Sequence, residues 1–225
     1  MRRIRLEYSQ PPAPLECAGT MARASHPDWL ELGLLLGLGA GNVAVELFGL
    51  PKTPLVVGGV ALWAIYLAAQ VRRKPDVLRR WGLRADTLRP AAREAAAITL
   101  PLAGIMVAYG FARGHLPPPP GFWLILALYP AWGLAQNFLL NAMLARNLRT
   151  VMSESPAVAL ATLLFSLSHA PDLEIMALTL FVAPIWLVLY RRHPNLWVLG
   201  VAHGLLGTLA FFALLGRDVL GALVG

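Results

Sequence analysis

Five side chains carry the chemistry this sequence can do. Gln136, Asn137 and Asn141 stand in one apolar run that begins after Pro130. His169 closes the stretch Phe165-Ser166-Leu167-Ser168-His169, and His203 stands in a later apolar run with Gly207 one helical turn further on. An ordinary imidazole, with a pKa near ~6.5, is neutral often enough at pH 7 to take a proton from water. Amide nitrogens and a second imidazole can donate to an oxygen on which negative charge develops. Asn137 and Asn141 share a helical face, with Gln136 about 100° round. Three amides in an apolar helix also suit plain hydrogen bonding between helices. A lone membrane histidine is, in the same way, more often a satisfied hydrogen-bonding residue than a catalyst. Two histidines and an amide cluster on three separate segments favour a site. Two histidines with no carboxylate or thiolate partner fall short of the three protein ligands usual for catalytic zinc. Neither a metal nor another cofactor is therefore expected.

The elements that must position these residues are membrane helices. Of the 225 residues 57% are hydrophobic and only 14% charged, with a mean hydropathy of +0.61. An ordinary soluble domain carries roughly 25% charged residues and could not hide so much apolar surface. Disorder, coiled coil and a disulfide scaffold are excluded by the same composition, and Cys17, the single cysteine, has no internal partner. Seven segments suit a hydrocarbon core about 30 Å thick, near 29–49, 53–71, 93–112, 121–145, 156–170, 173–190 and 196–215. The fold class expected is all-α, a polytopic bundle. With the N-terminus cytoplasmic, sixteen of the nineteen lysines and arginines fall on the inner side. Only Lys52, Arg113 and Arg217 fall outside, an alternation that one missed helix would scramble. At 1.5 Å per residue, Gln136, His169 and His203 lie about 14, 20 and 10 Å from the inner ends of their helices. Three helices thus offer polar groups to one point near mid-membrane.

The formal charge of +7 sits in short clusters between apolar runs, so no nucleic-acid partner is expected. Residues 1–28 read as a polar tail and 29–225 as the membrane domain. Met21 offers a second plausible start just ahead of the first apolar run, and no signal peptide precedes it. The connection 72–90 places Val77, Leu78, Trp81, Leu83 and Leu88 between basic residues, which suits either a short surface helix or a basic loop. In the first span Gly33, Gly37 and Gly41 predict close helix packing, and Glu46 lies near enough the outer end to reach headgroups.

The order of these elements resembles the CPBP family, the CAAX prenyl endopeptidases and bacterial self-immunity proteins, which are glutamic-type intramembrane proteases. Those proteins carry Glu-Glu-x-x-x-Arg on one helix, Phe-x-x-x-His on the next and His-x-x-x-Asn on a later one. Phe165 to His169 matches the second motif in full. The stretch Tyr190-Arg191-Arg192-His193-Pro194-Asn195-Leu196-Trp197 is similar to the approach to the third motif, and Trp81-Gly82-Leu83-Arg84 to a phrase after the second helix. The likeness covers about residues 75–212. Where the family has two glutamates this chain has Gln136 and Asn137, where it has arginine Asn141, and where it has asparagine Gly207.

The resemblance implies a membrane peptidase whose glutamate activates water with help from the first histidine. The later histidine and the asparagine would hold the oxyanion. An amide cannot take a proton, and glycine has no side-chain donor. Asp172 and Glu174 sit past the outer end of the fifth helix, so no carboxylate replaces the missing pair. The residues expected to form the site are His169, His203, Gln136, Asn137 and Asn141. His169 is the expected base and His203 the group polarising the carbonyl, with Asn137 or Asn141 as a donor. Three functions stay open: an impaired peptidase acting on a membrane-associated peptide or protein, an inactive pseudoprotease or immunity-type binding protein, and a small transporter. The expected location is a bilayer, the bacterial inner membrane, with the N-terminus cytoplasmic.

Overall fold

The computed structural model describes residues 26–219, and every regular element among them is helical. Cys17, the second start at Met21, and four of the counted arginines (Arg2, Arg3, Arg5 and Arg23) lie outside the described residues. In chain order the helices are α1 (Trp29–Leu47), α2 (Thr53–Arg73), α3 (Val77–Arg80), α4 (Leu88–Ala112) and α5 (Gly121–Asn137). A π-helical stretch, Phe138–Ala145, runs on into α6 (Arg146–Val151). Then follow α7 (Glu154–Leu167), α8 (Leu173–Arg192) and α9 (Leu196–Leu209), the last ending in a π turn, Ala210–Leu214.

The local chemistry of the ends explains these bounds. Asp28 accepts from the amides of Leu30 and Glu31, Asp172 from Ile175 and Asn195 from Val198, at 3.1 to 3.2 Å. Each caps amides that a helix start leaves without a partner. Pro54 opens α2, where its missing N–H costs nothing.

Among the described residues six helices are long and apolar enough to cross a membrane, counting α5 to α6 as one rod, Gly121–Val151. With the helical core between them they form a polytopic membrane bundle. The fifth expected span, 156–170, is α7, a shorter apolar helix that starts beside Arg149 and Arg191 through Glu154. α7 has 14 residues, roughly 21 Å of helix, which is short of the hydrocarbon thickness. Its chain turns at Ser168 and His169, ahead of the Asp172 cap of α8.

Two readings are corrected. Among the described residues nothing lies within 4 Å of where a Cβ on Gly33 or Gly37 would stand, so these two seat none of the described helices. Gly41 alone of that ladder meets a helix, at Leu55. The connection 72–90 is neither a loose loop nor a surface helix throughout. Val77 and Trp81 are buried, and Trp81 meets Phe138 edge-on at 5.2 Å. Leu78 and Leu88 are exposed.

The tightest packing joins α5 to α9. A Cβ on Gly204 would stand 2.6 Å from the Pro130 nitrogen, and one on Gly133 would stand 2.8 Å from the Gly200 carbonyl oxygen. Bare backbone on both helices lets them touch. At the arginine-bearing end, Leu196 donates from its amide to the Gly82 carbonyl at 2.9 Å, and Asn195 donates to the Arg84 carbonyl at 2.8 Å. The two short phrases around Trp81 and Tyr190 therefore meet, and together they set where α9 begins.

Candidate active site

The α5–α9 contact brings two of the candidate side chains, Asn137 and His203, together. Tyr129, Gly133 and Asn137 follow one another at intervals of four on α5 and look toward α9. Gly133 lies close enough to α9 for a Cβ there to meet His203 Cβ at 3.0 Å. Asn137 then reaches His203 directly. Its amide nitrogen donates to the Gly133 carbonyl at 2.9 Å and stands 3.0 Å from His203 Nδ1. A carbonyl oxygen only accepts, so this atom of Asn137 is the NH₂, and its second hydrogen points to His203 Nδ1. Nδ1 is therefore the acceptor, and His203 Nε2 carries the proton. Trp186 of α8 stacks on the ring at 6.1 Å and 17° and holds its plane.

His169 takes the opposite tautomer. Its Nδ1 lies 2.8 Å from the Phe165 carbonyl oxygen, which again can only accept. The proton is on Nδ1, and Nε2 presents its lone pair to the Gln136 amide nitrogen at 3.5 Å. Phe165 lies edge-on to the imidazole, ring centroids 5.0 Å apart. Asn42 of α1 donates to the Ser168 carbonyl at 3.0 Å and pins the same turn from outside.

Asn141 completes the group within the π stretch. Its amide donates to Asn137 Oδ1 at 3.3 Å, while its own Oδ1, fully buried, has no partner among the described residues. π turns recur at functional positions, and this one is surrounded by α1, α7 and α8. The five residues singled out from the sequence thus form two contacts from successive positions of one rod, Gln136 with His169 and Asn137 with His203, and Asn141 bonds to Asn137. Asn137 and Asn141 are buried, and Gln136, His169 and His203 are partly open.

Side chains that the sequence reading passed over also gather. Glu31 of α1 is buried at 2% exposure. It accepts from Tyr66 and Arg146 and from the Asn147 amide, while Asn147 Nδ2 also donates to the Met143 carbonyl at 2.9 Å. The signal was available, since a carboxylate in an apolar run calls for a cationic partner in another one. Arg146 lies ten residues beyond Gln136 along the same rod, roughly 15 Å at 1.5 Å per residue. Glu31 is therefore a fastener for α1 and cannot act on water at the histidines. Glu46 pairs with Lys52 at the other end of α1, in keeping with an interfacial position. Among the described residues no three His, Cys, Asp or Glu side chains gather as metal ligands would.

Two histidines of opposite tautomer face amides where a carboxylate would be needed for the strongest base. The arrangement offers one basic nitrogen, His169 Nε2, and one N–H donor, His203 Nε2. An acceptor and an N–H donor of this kind are what a water and a carbonyl respectively would need. No curated protein and no solved structure matches the chain. Residues 117–209, which include every one of these site residues, match the family described as Type II CAAX prenyl endopeptidase Rce1-like. Over that segment, 93 of the 225 residues, the chain is similar to the Rce1-like CAAX prenyl endopeptidase family.

Proposed function

We propose that the chain holds a membrane-associated peptide or protein segment at the His169–His203 site and acts on it as an impaired peptidase. The observation that supports this is the pair of tautomers. His169 Nε2, engaged only by a long 3.5 Å contact from the Gln136 amide, is an acceptor able to take a proton from water in exchange for it. His203 Nε2–H is a donor able to polarise a carbonyl. What impairs the site is the absence of a carboxylate there, because Gln136 and Asn137 donate where an acid would accept. An imidazole base alone contributes less than a carboxylate and imidazole acting together.

In this reading the N-terminus faces the cytoplasm of a bacterial cell and the substrate enters from the bilayer. The charge distribution of the loops supports the orientation.

The test is reconstituted protein presented with a library of membrane-anchored peptides. Slow cleavage by the unaltered chain, lost in both His169→Ala and His203→Ala, is the expected result. The triple variant Gln136→Glu, Asn137→Glu and Asn141→Arg should cleave faster, the arginine offsetting the cost of two buried acids. Peptide binding without any cleavage, and a gain only in the triple variant, would instead make the protein an inactive binding relative. Radiolabelled uptake into proteoliposomes with no peptide binding would replace both readings with transport.

A further inference from the structure

Gly207 stands on α9 one turn beyond His203, and what fills the space beside it is Tyr129. A Cβ at 207 would lie 2.9 Å from Tyr129 Cδ1 and 3.2 Å from Cζ, and closer still to Cε1. Real Cβ atoms do not approach ring carbons so closely, so the side chain at 207 and the ring at 129 exclude one another. The phenol takes the volume and the glycine concedes it. The ring lies 6.3 Å from His203, tilted by 48°, and edge-on to Phe211 at 6.0 Å. Tyr129 begins the same α5 stripe that places Asn137 against His203. Its hydroxyl has no hydrogen-bond partner among the described residues, which leaves the O–H available to a ligand beside His203.

We propose that Tyr129 is a catalytic residue of this site, its hydroxyl donating to the substrate carbonyl oxygen alongside His203 Nε2–H. The inference rests on the peptide-binding reading given above. In the step it serves, water adds through its oxygen to the carbonyl carbon while its proton passes to His169 Nε2. The carbonyl π pair moves onto oxygen, and that oxyanion accepts from Tyr129 and His203. When the tetrahedral species collapses, the C–N bond breaks and the leaving nitrogen takes the proton back from His169. Two donors aimed at one developing charge in an apolar site are worth more than either would be in water. A phenol suits the task because its hydroxyl stays protonated at neutral pH.

A membrane-anchored peptide ketone, isotopically labelled at the ketone carbonyl carbon, reads this contact whether or not the protein cleaves amides. Its affinity and its carbonyl stretching frequency are measured on the unaltered chain, on Tyr129→Phe and on His203→Ala. The phenylalanine variant keeps the ring against Gly207, so its unfolding temperature should stay close to that of the parent. Expected are a roughly tenfold weaker affinity in Tyr129→Phe and a carbonyl band shifted back toward its frequency in apolar solvent. A control peptide with a methylene in place of the ketone should bind both proteins equally. A pair variant, Tyr129→Ala with Gly207→Asn, puts an amide donor where the phenol was and should recover part of the shift. Equal affinity and an unchanged band in Tyr129→Phe, with ketone bound, would overturn the role of Tyr129 alone. Failure of the folded, unaltered chain to bind the ketone would overturn the peptide-binding reading and this inference with it.

Discussion

Asn137 is the residue on which the site's geometry turns, because both hydrogens of one amide are committed. One goes to the Gly133 carbonyl and the other to His203 Nδ1, while its oxygen accepts from Asn141. Asn137→Ala leaves all three partners without it inside the bundle. The expected loss is about 1–3 kcal/mol, the cost of orphaned buried groups, read as a lower midpoint of chemical unfolding in detergent. Asn137→Asp should fare no better, since a carboxylate cannot donate to a carbonyl oxygen. Glu31 poses the complementary question for charge. Its carboxylate is buried while the Arg146 side chain is about two-fifths exposed, so solvent weakens the ion pair. A double-mutant cycle with Glu31→Gln and Arg146→Gln should return a coupling of about 0.5–3 kcal/mol. Strict additivity would mean that Tyr66 and Asn147 alone hold the acid.

At the scale of the element, two glycines make opposite predictions. A Cβ on Gly204 meets Pro130 backbone atoms at 2.6 and 2.7 Å, and backbone cannot move aside as a flexible side chain would. Gly204→Ala should push α5 from α9, cost about 1–3 kcal/mol as an overpacked core does, and part Asn137 from His203. Gly37→Ala adds a methyl where nothing lies within 4 Å. It should be neutral or stabilise α1 by about 0.5–1 kcal/mol through helix propensity. Unfolding midpoints of the two variants, measured side by side, separate packing from backbone entropy. If Gly37→Ala proved the more damaging, that face of α1 would have to be covered by something other than lipid.

At the scale of the whole molecule, orientation and acid stability are the open quantities. Single cysteines at positions 83 and 118, with Cys17 replaced, should label from the cytoplasmic and the opposite side respectively. The reverse pattern would invert the topology. Outside the spans, the Arg217 guanidinium beside Asp172 holds its carboxyl below the usual carboxylate range, and Arg84 does the same for Asp86. A carboxyl whose folded pKa is depressed stabilises the fold above its unfolded value near ~4 and loses that contribution as pH falls through the folded one. The unfolding temperature should therefore drop on acidification below about pH 4. Asp172→Asn combined with Asp86→Asn should flatten that decline, and added salt should shrink the difference, because these pairs are exposed to solvent. An undiminished slope in the double variant would assign the acid sensitivity to other carboxylates.

Hydropathy and helix period are properties of neighbours in the chain, and for that reason the sequence alone determined the class of this protein and most of its helix bounds. The apolar runs, the prolines between them and the types of the five site residues were legible in this way, as was the likeness of 75–212 to a known peptidase family. The shortness of α7 was half legible, since hydropathy marks an apolar run but does not say where the chain turns. Which nitrogen of each imidazole bears the proton was not legible at all, because that depends on carbonyls set in place by folding. The Glu31–Arg146 pair joins residues 115 apart and the Asn137–His203 contact residues 66 apart. Nothing local to either position encodes its partner. The exchange of ring for side chain between Tyr129 and Gly207 is of the same kind. A glycine in a sequence records only that no side chain is there, and the packing of α5 on α9 decided what took the space.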